Sequence, residues 1–183
     1  MRKPIFSLTL IALAFSITSF AQSSAPAEAD KTEKLFYAEF GGANVLFGAN
    51  FDWRFKKNTR TGLGARVGLG FTIYDKEVQN GNYWDYETTT IATIPLGLNY
   101  VFGKPNSPSM FEVGAGATVL MPKASVYRYD DDKEGNLIGH FSFMYRRVPM
   151  EGGFSWRIGF TPIINTSGQI FPSGAIGLGY AFR

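Results

Sequence analysis

The feature that most constrains the fold is a two-residue alternation that runs from Leu35 to the end of the chain. Large apolar side chains, many of them aromatic, alternate with glycine or polar residues in one segment after another. In the third segment, Leu63, Val67, Leu69, Phe71 and Ile73 share one face, opposite Gly62, Gly64, Arg66, Gly68 and Gly70. Two residues is the side-chain period of a β-strand, so the pattern predicts strands and no convincing amphipathic helix.

Turn-forming residues divide this region into successive predicted strands. Their approximate bounds are 35–42, 45–56, 61–74, 88–102, 110–121, 138–148, 153–162 and 174–183. Together they predict an all-β fold, an eight-stranded antiparallel up-and-down barrel, because full closure removes the exposed edges of a sheet.

The volume of such a barrel decides which face points inward. Eight strands enclose just enough space for side chains, and roughly thirty large apolar residues would not fit there. The glycine-rich face does fit, and its glycines would weaken strands for no gain on a wet outer surface. A barrel with apolar side chains on its outer face and small or polar side chains on its inner face is typical of a transmembrane barrel, so the pattern predicts one. The rival is a soluble, lipocalin-like carrier of an apolar ligand, with the faces reversed.

The N-terminus predicts export to the outer membrane through the periplasm. Arg2 and Lys3 precede an apolar stretch over 5–20, and small residues stand at the −3 and −1 positions of a cleavage site after Ala21. The apolar stretch is shorter than a membrane-spanning helix requires. We therefore expect a signal peptide over 1–21, a flexible periplasmic segment over 22–34 and an outer-membrane barrel domain over 35–183.

The lengths of the connections predict the orientation. Counted from a periplasmic N-terminus, the links after even strands are compact, at 57–60, 103–109 and 149–152. The links after odd strands are long and polar at 75–87 and 122–137, intermediate at 163–173, and a tight hairpin at 41–44. Short periplasmic turns with longer outer loops are typical of outer-membrane barrels, and the first hairpin is the one departure.

These segments resemble the small eight-stranded outer-membrane barrels of Gram-negative bacteria, of the OmpX or OmpA-barrel kind. The resemblance covers about 35–183 and rests on the Ala-Gln junction, on GLGARVGLG, IPLGLNYVFG and FEVGAGATVL, and on the final strand AIGLGYAFR. It implies a monomer in contact with outer-membrane lipid and lipopolysaccharide, whose last strand is recognised by the barrel-assembly machinery. The assembly machinery favours an aromatic residue at the last position of the strand, whereas in this chain Phe182 is the penultimate residue. Such motifs define an architecture and not an activity.

The inward face carries charged residues. By the predicted registers they are Glu39, Asp52, Arg54, Arg66, Glu112, Arg146 and Arg157. Charges in a narrow, poorly hydrated interior must be paired or hydrogen-bonded. We interpret them as a structural network that plugs the lumen and fixes the register. A narrow ion path is the alternative, and eight strands leave little continuous water for it.

His140 and Ser142 give the one catalytic hypothesis. Their spacing resembles part of the His/Ser/Glu set of outer-membrane lipid A deacylases, in which His is the base for a Ser nucleophile. The flanking GHFSFMYRR matches nothing else in that family, and Glu151 is predicted at the opposite end of the barrel. We therefore predict a non-enzymatic protein with a structural or surface-display role, and keep the lipid A-modifying enzyme as the alternative.

Composition leaves little material for cofactors or metals. The chain has no Cys and a single His, which excludes disulfides and thiolate chemistry and leaves almost no zinc ligands. The acidic loop Asp130-x-Asp132-x-Glu134 superficially resembles a calcium loop, but Phe141 stands where a bidentate Glu is needed. We predict no cofactor and no metal. The net charge of +3 is modest and its basic residues are scattered, so nucleic acid is not an expected partner.

Aromatic residues in the two long outer loops are the candidate recognition residues. They are Tyr83, Trp84, Tyr86, Tyr127 and Tyr129. Aromatic side chains at a loop tip suit a partner or a sugar, but for those over 83–87 we favour an aromatic girdle at the membrane interface. Lys123 and Arg128 are candidate contacts for lipopolysaccharide phosphates.

Overall fold

The structure is a computed structural model that describes residues 31–81, 83–104, 106–124, 135–165 and 167–183. The predicted signal peptide therefore lies outside the described residues, as does most of the 22–34 segment. Among the described residues, no helix is long and apolar enough to cross a membrane.

The described residues form strands and one 3-10 turn. The strands are β1 (Lys34–Gly41), β2 (Phe47–Arg54), β3 (Gly62–Asn80), β4 (Tyr83–Phe102), β5 (Ser109–Ala124), β6 (Gly135–Arg147), β7 (Gly153–Phe160), β8 (Ile163–Ile164), β9 (Ile170–Phe171) and β10 (Gly174–Phe182). The 3-10 turn, Gly42–Asn44, lies between β1 and β2.

These strands form one antiparallel sheet that closes on itself. Consecutive strands from β1 to β7 pair with each other, β10 pairs with β7, and β10 also pairs with β1. The two-residue β8 follows β7 and pairs with β6, and β9 pairs with β8. Eight strands thus surround the interior, which confirms the predicted up-and-down barrel.

The two faces of the strands point as the alternation predicts. On β4, Leu96, Leu98 and Tyr100 point outward and are about half exposed. On β3 the outward apolar residues run from Leu63 to Ile73, which spans about 25 Å along the axis at ~3.3 Å per residue and ~40° of tilt. Because the aromatic face lies outside, the lipocalin-like arrangement is excluded.

One end of the barrel, here the terminal end, carries residues 31–33, Arg183 and the turns after β2, β4 and β6. The barrel begins earlier than predicted at this end. Thr32 and Glu33 are buried, and the Glu33 amide donates to the Thr59 carbonyl at 3.0 Å. The described part of the predicted flexible segment therefore belongs to the barrel.

The other end, here the loop end, differs from expectation at the predicted 75–87 loop. β3 and β4 remain paired from Thr72 and Ile91 out to Asn80 and Tyr83. Their pairing with β2 and β5 stops at Phe71 and Ala92. The result is a two-stranded ribbon over 72–91 that extends about 30 Å past these neighbours at ~3.4 Å per residue. No apolar alternation marks residues 75–87 in the sequence, because the described side chains of this part of the ribbon do not lie against a core.

The first hairpin turns into the barrel instead of forming a plain tight turn. Gly42, Ala43 and Asn44, here the inward turn, are all buried. Gly41 and Gly42 have φ values of +75° and +63°, which L side chains rarely adopt. A Cβ on Gly42 would also meet the Ala175 side chain and the Glu39 carboxylate. The two glycines therefore allow the chain to fold inward here.

Candidate functional site

The barrel interior is filled in layers. An apolar cluster occupies the terminal end: Leu35, Tyr37, Val101, Met110, Val148 and Ala181. A second apolar cluster occupies the loop end and packs against Val45: Ile91, Leu120, Ala124, Ile138 and Ile163. Charged and polar side chains lie on the inward faces of the strands between these two clusters.

The interior brings together all of the charged residues predicted to point inward. Each is buried, with at most 4% of its surface exposed: Glu39, Asp52, Arg54, Arg66, Glu112, Arg146 and Arg157. Two further residues, Glu33 and Arg60, join them from outside the strands. Small inward residues make room for these long side chains, since a Cβ on Gly177 would meet the Arg157 side chain.

Arg146 on β6 is the centre of this network. Its Nη1 lies 3.0 Å from Glu112 Oε2 and 3.7 Å from Asp52 Oδ1. Its Nη2 donates to Glu33 Oε1. One guanidinium thus contacts carboxylates from β2, β5 and the segment before β1, which ties distant parts of the barrel together. Burial of this cation is compensated by opposite charges and by direct hydrogen bonds.

Arg157 and Arg66 continue the network toward the loop end. Arg157 Nη2 lies 3.0 Å from Glu112 Oε1, and its Nε lies 3.4 Å from Glu39 Oε2. Arg66 Nη1 lies 3.8 Å from Glu39 Oε1. Both guanidiniums donate to the Tyr37 hydroxyl, at 2.9 Å from Arg157 and 3.3 Å from Arg66. Tyr37 is an aromatic residue inside the barrel, and Arg157 also lies over its ring.

A separate branch surrounds Asp52. Arg54 donates to both Asp52 and Asn99, and Asn99 donates to the second oxygen of Asp52. Arg54 also donates to the Gly62 carbonyl at 2.9 Å. This branch joins β2 to β4 over Gly64 of the intervening strand β3.

Arg60 closes the terminal end. It lies in the turn after β2, and only 5% of it is exposed. Its guanidinium donates to the carbonyls of Ser107 at 3.1 Å, Val148 at 2.5 Å and Pro149 at 3.3 Å, and to Glu33 Oε2 at 3.3 Å. Burial lowers the pKa of the Arg60 guanidinium, and the Glu33 carboxylate opposes that shift. One side chain thus connects three turns and the N-terminal segment.

His140 lies on the loop side of the charged layer. Arg66 Nη2 is 3.0 Å from His140 Nε2, and His140 Nδ1 is 3.3 Å from Thr118 Oγ1. Thr118 Oγ1 donates to the Ala43 carbonyl of the inward turn at 2.7 Å. His140 therefore connects the charged network to the inward turn.

This geometry does not support the catalytic hypothesis. His140 and Ser142 are 3% and 2% exposed, and both point into the barrel. The hydrogen bonds of the imidazole go to Arg66 and Thr118, so neither nitrogen is oriented as a base toward Ser142. Glu151 is exposed in the turn after β6, at the terminal end. The three groups of the hypothesis are therefore not assembled in one place.

The candidate recognition residues lie at the loop end. Tyr83, Trp84 and Tyr86 lie near the tip of the ribbon with 81%, 67% and 66% of their surface exposed. Their place beyond the barrel favours the loop-tip interpretation over a membrane girdle. Lys123 is exposed near the end of β5. The remaining loop residues named from the sequence lie outside the described residues: Tyr127, Arg128, Tyr129, Asp130, Asp132 and Glu134.

Metal ligands are not clustered in the part of the chain that the structure describes. No group of three or more His, Cys, Asp or Glu side chains there is arranged to hold a metal ion. The buried carboxylates instead face guanidiniums, which compete with a metal for the same oxygens.

The architecture matches two solved structures. One is the N-terminal β-barrel domain of OprF from Pseudomonas aeruginosa, with a TM-score of 0.53 and 13% identity over 82% of this chain and 96% of that one. The fold is that of the small outer-membrane barrels. The other is the outer membrane protein Ail of Yersinia pestis, with a TM-score of 0.53 and 12% identity over 84% of this chain and all of that one. No protein-family model and no curated protein matches the sequence.

Glu33 and Arg60 are the charged interior residues, among those described, that sequence reasoning missed. Both lie outside the predicted strands, in a segment expected to be flexible and in a turn. Their positions depend on partners far away in the chain, since Arg60 bonds to Val148 and Glu33 bonds to Arg146. The sequence offered one signal that a further acidic residue such as Glu33 lies inside: the predicted inward residues included fewer acidic side chains than arginines.

Proposed function

We propose that this protein is an integral outer-membrane protein that crosses the bilayer as a plugged barrel and contributes to the envelope. The observation that carries the proposal is the inverted distribution of side chains. Among the described residues, large apolar side chains are exposed around the barrel, while nine charged residues, five Arg and four Asp or Glu, are buried inside it. A soluble protein rarely leaves so much contiguous apolar surface exposed, and a lipid bilayer is the environment that covers it.

The connections support an orientation with the terminal end in the periplasm. The turns after β2, β4 and β6 are short, and the long ribbon lies at the opposite end. This is the asymmetry of outer-membrane barrels. The predicted signal peptide supplies the export that this location requires, and the outward residues of β10 supply the aromatic final strand expected for assembly.

The layered interior supports a barrel that conducts no ions. Four features fill the interior in order from the terminal end to the loop end. They are Arg60, the charged network, the inward turn and the loop-end apolar cluster. We expect no discrete currents when the protein is reconstituted in a planar bilayer. Stable unitary currents from the wild type would contradict the plug while leaving the membrane-spanning barrel intact.

Membrane fractionation combined with gel mobility tests the main proposal. We expect the protein in the outer-membrane fraction, resistant to carbonate extraction, with a mobility that changes on boiling because the folded barrel survives detergent. Recovery in the soluble fraction, with a mobility that heating does not alter, would contradict the proposal.

The ribbon supports a second role in surface recognition. Tyr83 and Trp84 are among the most exposed large side chains of the described residues, and the ribbon holds them far from the barrel. Tyr and Trp side chains have few rotatable bonds, so they offer a large contact area at a low cost in entropy.

Arrays of glycans and extracellular proteins, probed with labelled nanodiscs that carry the chain, test this role. We expect binding that is lost when Tyr83, Trp84 and Tyr86 are replaced by Ala, with unchanged heat-modifiable mobility. Signals equal to those of empty nanodiscs would contradict it.

A further inference from the structure

Several strands share one pattern at the terminal end of the barrel. Each has an outward aromatic residue and, one or two residues nearer to that end, a cation. The pattern occurs five times: Phe36 with Lys34, Phe55 with Lys56 and Lys57, Phe102 with Lys104, Tyr145 with Arg147, and Phe182 with Arg183. The five pairs come from β1, β2, β4, β6 and β10, which lie all around the barrel. We name these six cations the basic collar.

The two ends of the barrel differ in exposed charge. At the terminal end the six collar cations are exposed, as is Lys31, and Glu151 is the exposed acidic side chain among the residues described there. At the loop end the described exposed charges are Asp75, Asp85, Glu87 and Lys123. Among the described side chains, exposed positive charge is therefore concentrated at the terminal end, although the net charge of the chain is only +3.

The collar lies at the edge of the apolar belt. Lys34 pairs with Trp53 and Phe182, and Arg147 pairs with Trp156. Both cations are in strands, on the face that meets lipid, one step beyond the outward aromatic residues. Aromatic girdles mark the depth of the headgroups, so the cations lie at the level of the lipid phosphates.

We propose that the basic collar binds the phosphate groups of anionic phospholipids in the leaflet that surrounds the terminal end. The inference rests on the proposed membrane-spanning barrel. Lys and Arg bind phosphate through charge-assisted hydrogen bonds, and each cation near a membrane surface adds to the attraction.

The distribution of the cations favours lipid over a single macromolecular partner. A polymer or a protein docks on one patch, whereas the collar cations come from five of the eight barrel strands, on different sides of the barrel, and lie next to the apolar belt. Lipid is the partner that contacts every side of the barrel at this depth. The cations would therefore hold a shell of anionic lipid, and would fix the height of the barrel in the bilayer.

Fluorescence quenching by brominated lipids tests the collar, because Trp53 and Trp156 lie beside it. A Trp84→Phe background removes the remaining tryptophan, which lies on the ribbon. The full chain is reconstituted in phosphatidylcholine vesicles with an equal mole fraction of either brominated phosphatidylcholine or brominated phosphatidylglycerol. We expect stronger quenching by the brominated phosphatidylglycerol, and a preference that weakens at high salt.

Charge-neutralising variants identify the cations. A combined variant should bring the ratio of the two quenching efficiencies to about one. It carries Lys56→Gln, Lys57→Gln, Lys104→Gln and Arg147→Gln. Arg147→Gln alone should lower the relative association constant for phosphatidylglycerol by about fivefold, since a juxtamembrane cation contributes about that factor. Lys123→Gln, the matched loss of one cation at the loop end, should leave the ratio unchanged. Heat-modifiable mobility verifies that each variant is folded.

The outcomes separate the two proposals. If brominated phosphatidylcholine does not quench Trp53 and Trp156, the barrel is not inserted and the proposed function fails. If both lipids quench equally in the wild type, or if the combined variant keeps the preference, the collar proposal alone is overturned. Cosedimentation with purified peptidoglycan that depends on the same four cations, without a lipid preference, would also overturn it.

Discussion

Arg66 and His140 are joined by a hydrogen bond of 3.0 Å between Nη2 and Nε2, and this contact fixes the direction of a whole chain of hydrogen bonds. A guanidinium carries only donors, so His140 Nε2 must be the acceptor. The ring proton then lies on Nδ1 and points to Thr118 Oγ1, whose own proton goes to the Ala43 carbonyl. β3, β6, β5 and the inward turn are thereby connected in one directed series.

The first prediction concerns the tautomer of His140. We expect the ring to carry its proton on Nδ1 at neutral pH, because Nε2 accepts from Arg66. Nitrogen-15 NMR of histidine-labelled protein in micelles measures this directly, and the chain has a single His, so the assignment is unambiguous. A proton on Nε2 would contradict the direction of the chain. In the variant Arg66→Gln, the amide oxygen can accept a hydrogen bond from the imidazole. The tautomer with its proton on Nε2 is therefore allowed in that variant.

The second prediction concerns Arg60. Replacement by Ala removes the side chain that joins three turns and leaves the carbonyls of Val148 and Ser107 without this donor. We expect the free energy of unfolding to fall by about 2–3 kcal/mol, as for the loss of hydrogen bonds to a charged group. Urea unfolding in lipid vesicles, followed by tryptophan fluorescence, measures it.

Lys57→Ala is the control for Arg60, because Lys57 is a cation of the same turn that is exposed. In vesicles of phosphatidylcholine, which carry no net charge, we expect a change within about 0.5 kcal/mol for this surface substitution. Equal losses for the two variants would contradict the role assigned to Arg60.

The architecture could be predicted from the sequence because alternation and volume are local and additive properties. The pattern of Leu63 to Ile73 identified a strand, and the limited interior of eight strands decided which face was outside. The inward charges followed from the same step, since Arg66 and Arg157 lie on the glycine face. No partner needed to be known for these conclusions.

The features that were missed depend on distant contacts. The Gly41-Gly42 pair indicates an unusual backbone, but the partners that hold Ala43 inward come from β5. Arg60 resembles any cation in a turn until the carbonyls of two other turns are placed beside it. Residues 75–87 of the ribbon have no apolar periodicity, so they were predicted as a loop.

The third prediction tests the filled interior at Gly116. A Cβ at this inward position would meet the Leu96 carbonyl and would lie 2.6 Å from His140 Nε2. We therefore expect Gly116→Val to reduce the yield of folded barrel severely, because the clash involves the backbone. Ala117→Val adds apolar volume one residue later, on the outward face, and should leave the yield nearly unchanged. The folded fraction after refolding into detergent is read from gel mobility without boiling. Equal yields for both variants would indicate a different register for β5.

The fourth prediction uses the depth of the outward face in lipid. Leu98 is 55% exposed near the middle of the apolar belt, and its strand neighbours are Ala65 and Ala115. Leu98→Arg should lower the free energy of unfolding in vesicles by about 2–4 kcal/mol, because the cation must lie near the bilayer midplane. Leu63→Arg, close to the terminal edge of the belt, should cost no more than about 1 kcal/mol, because there the side chain reaches the headgroups. In a water-soluble barrel both arginines would be solvated and neither would cost much. A difference between the two positions, measured by equilibrium unfolding in the same vesicles, is therefore specific to a barrel surrounded by lipid.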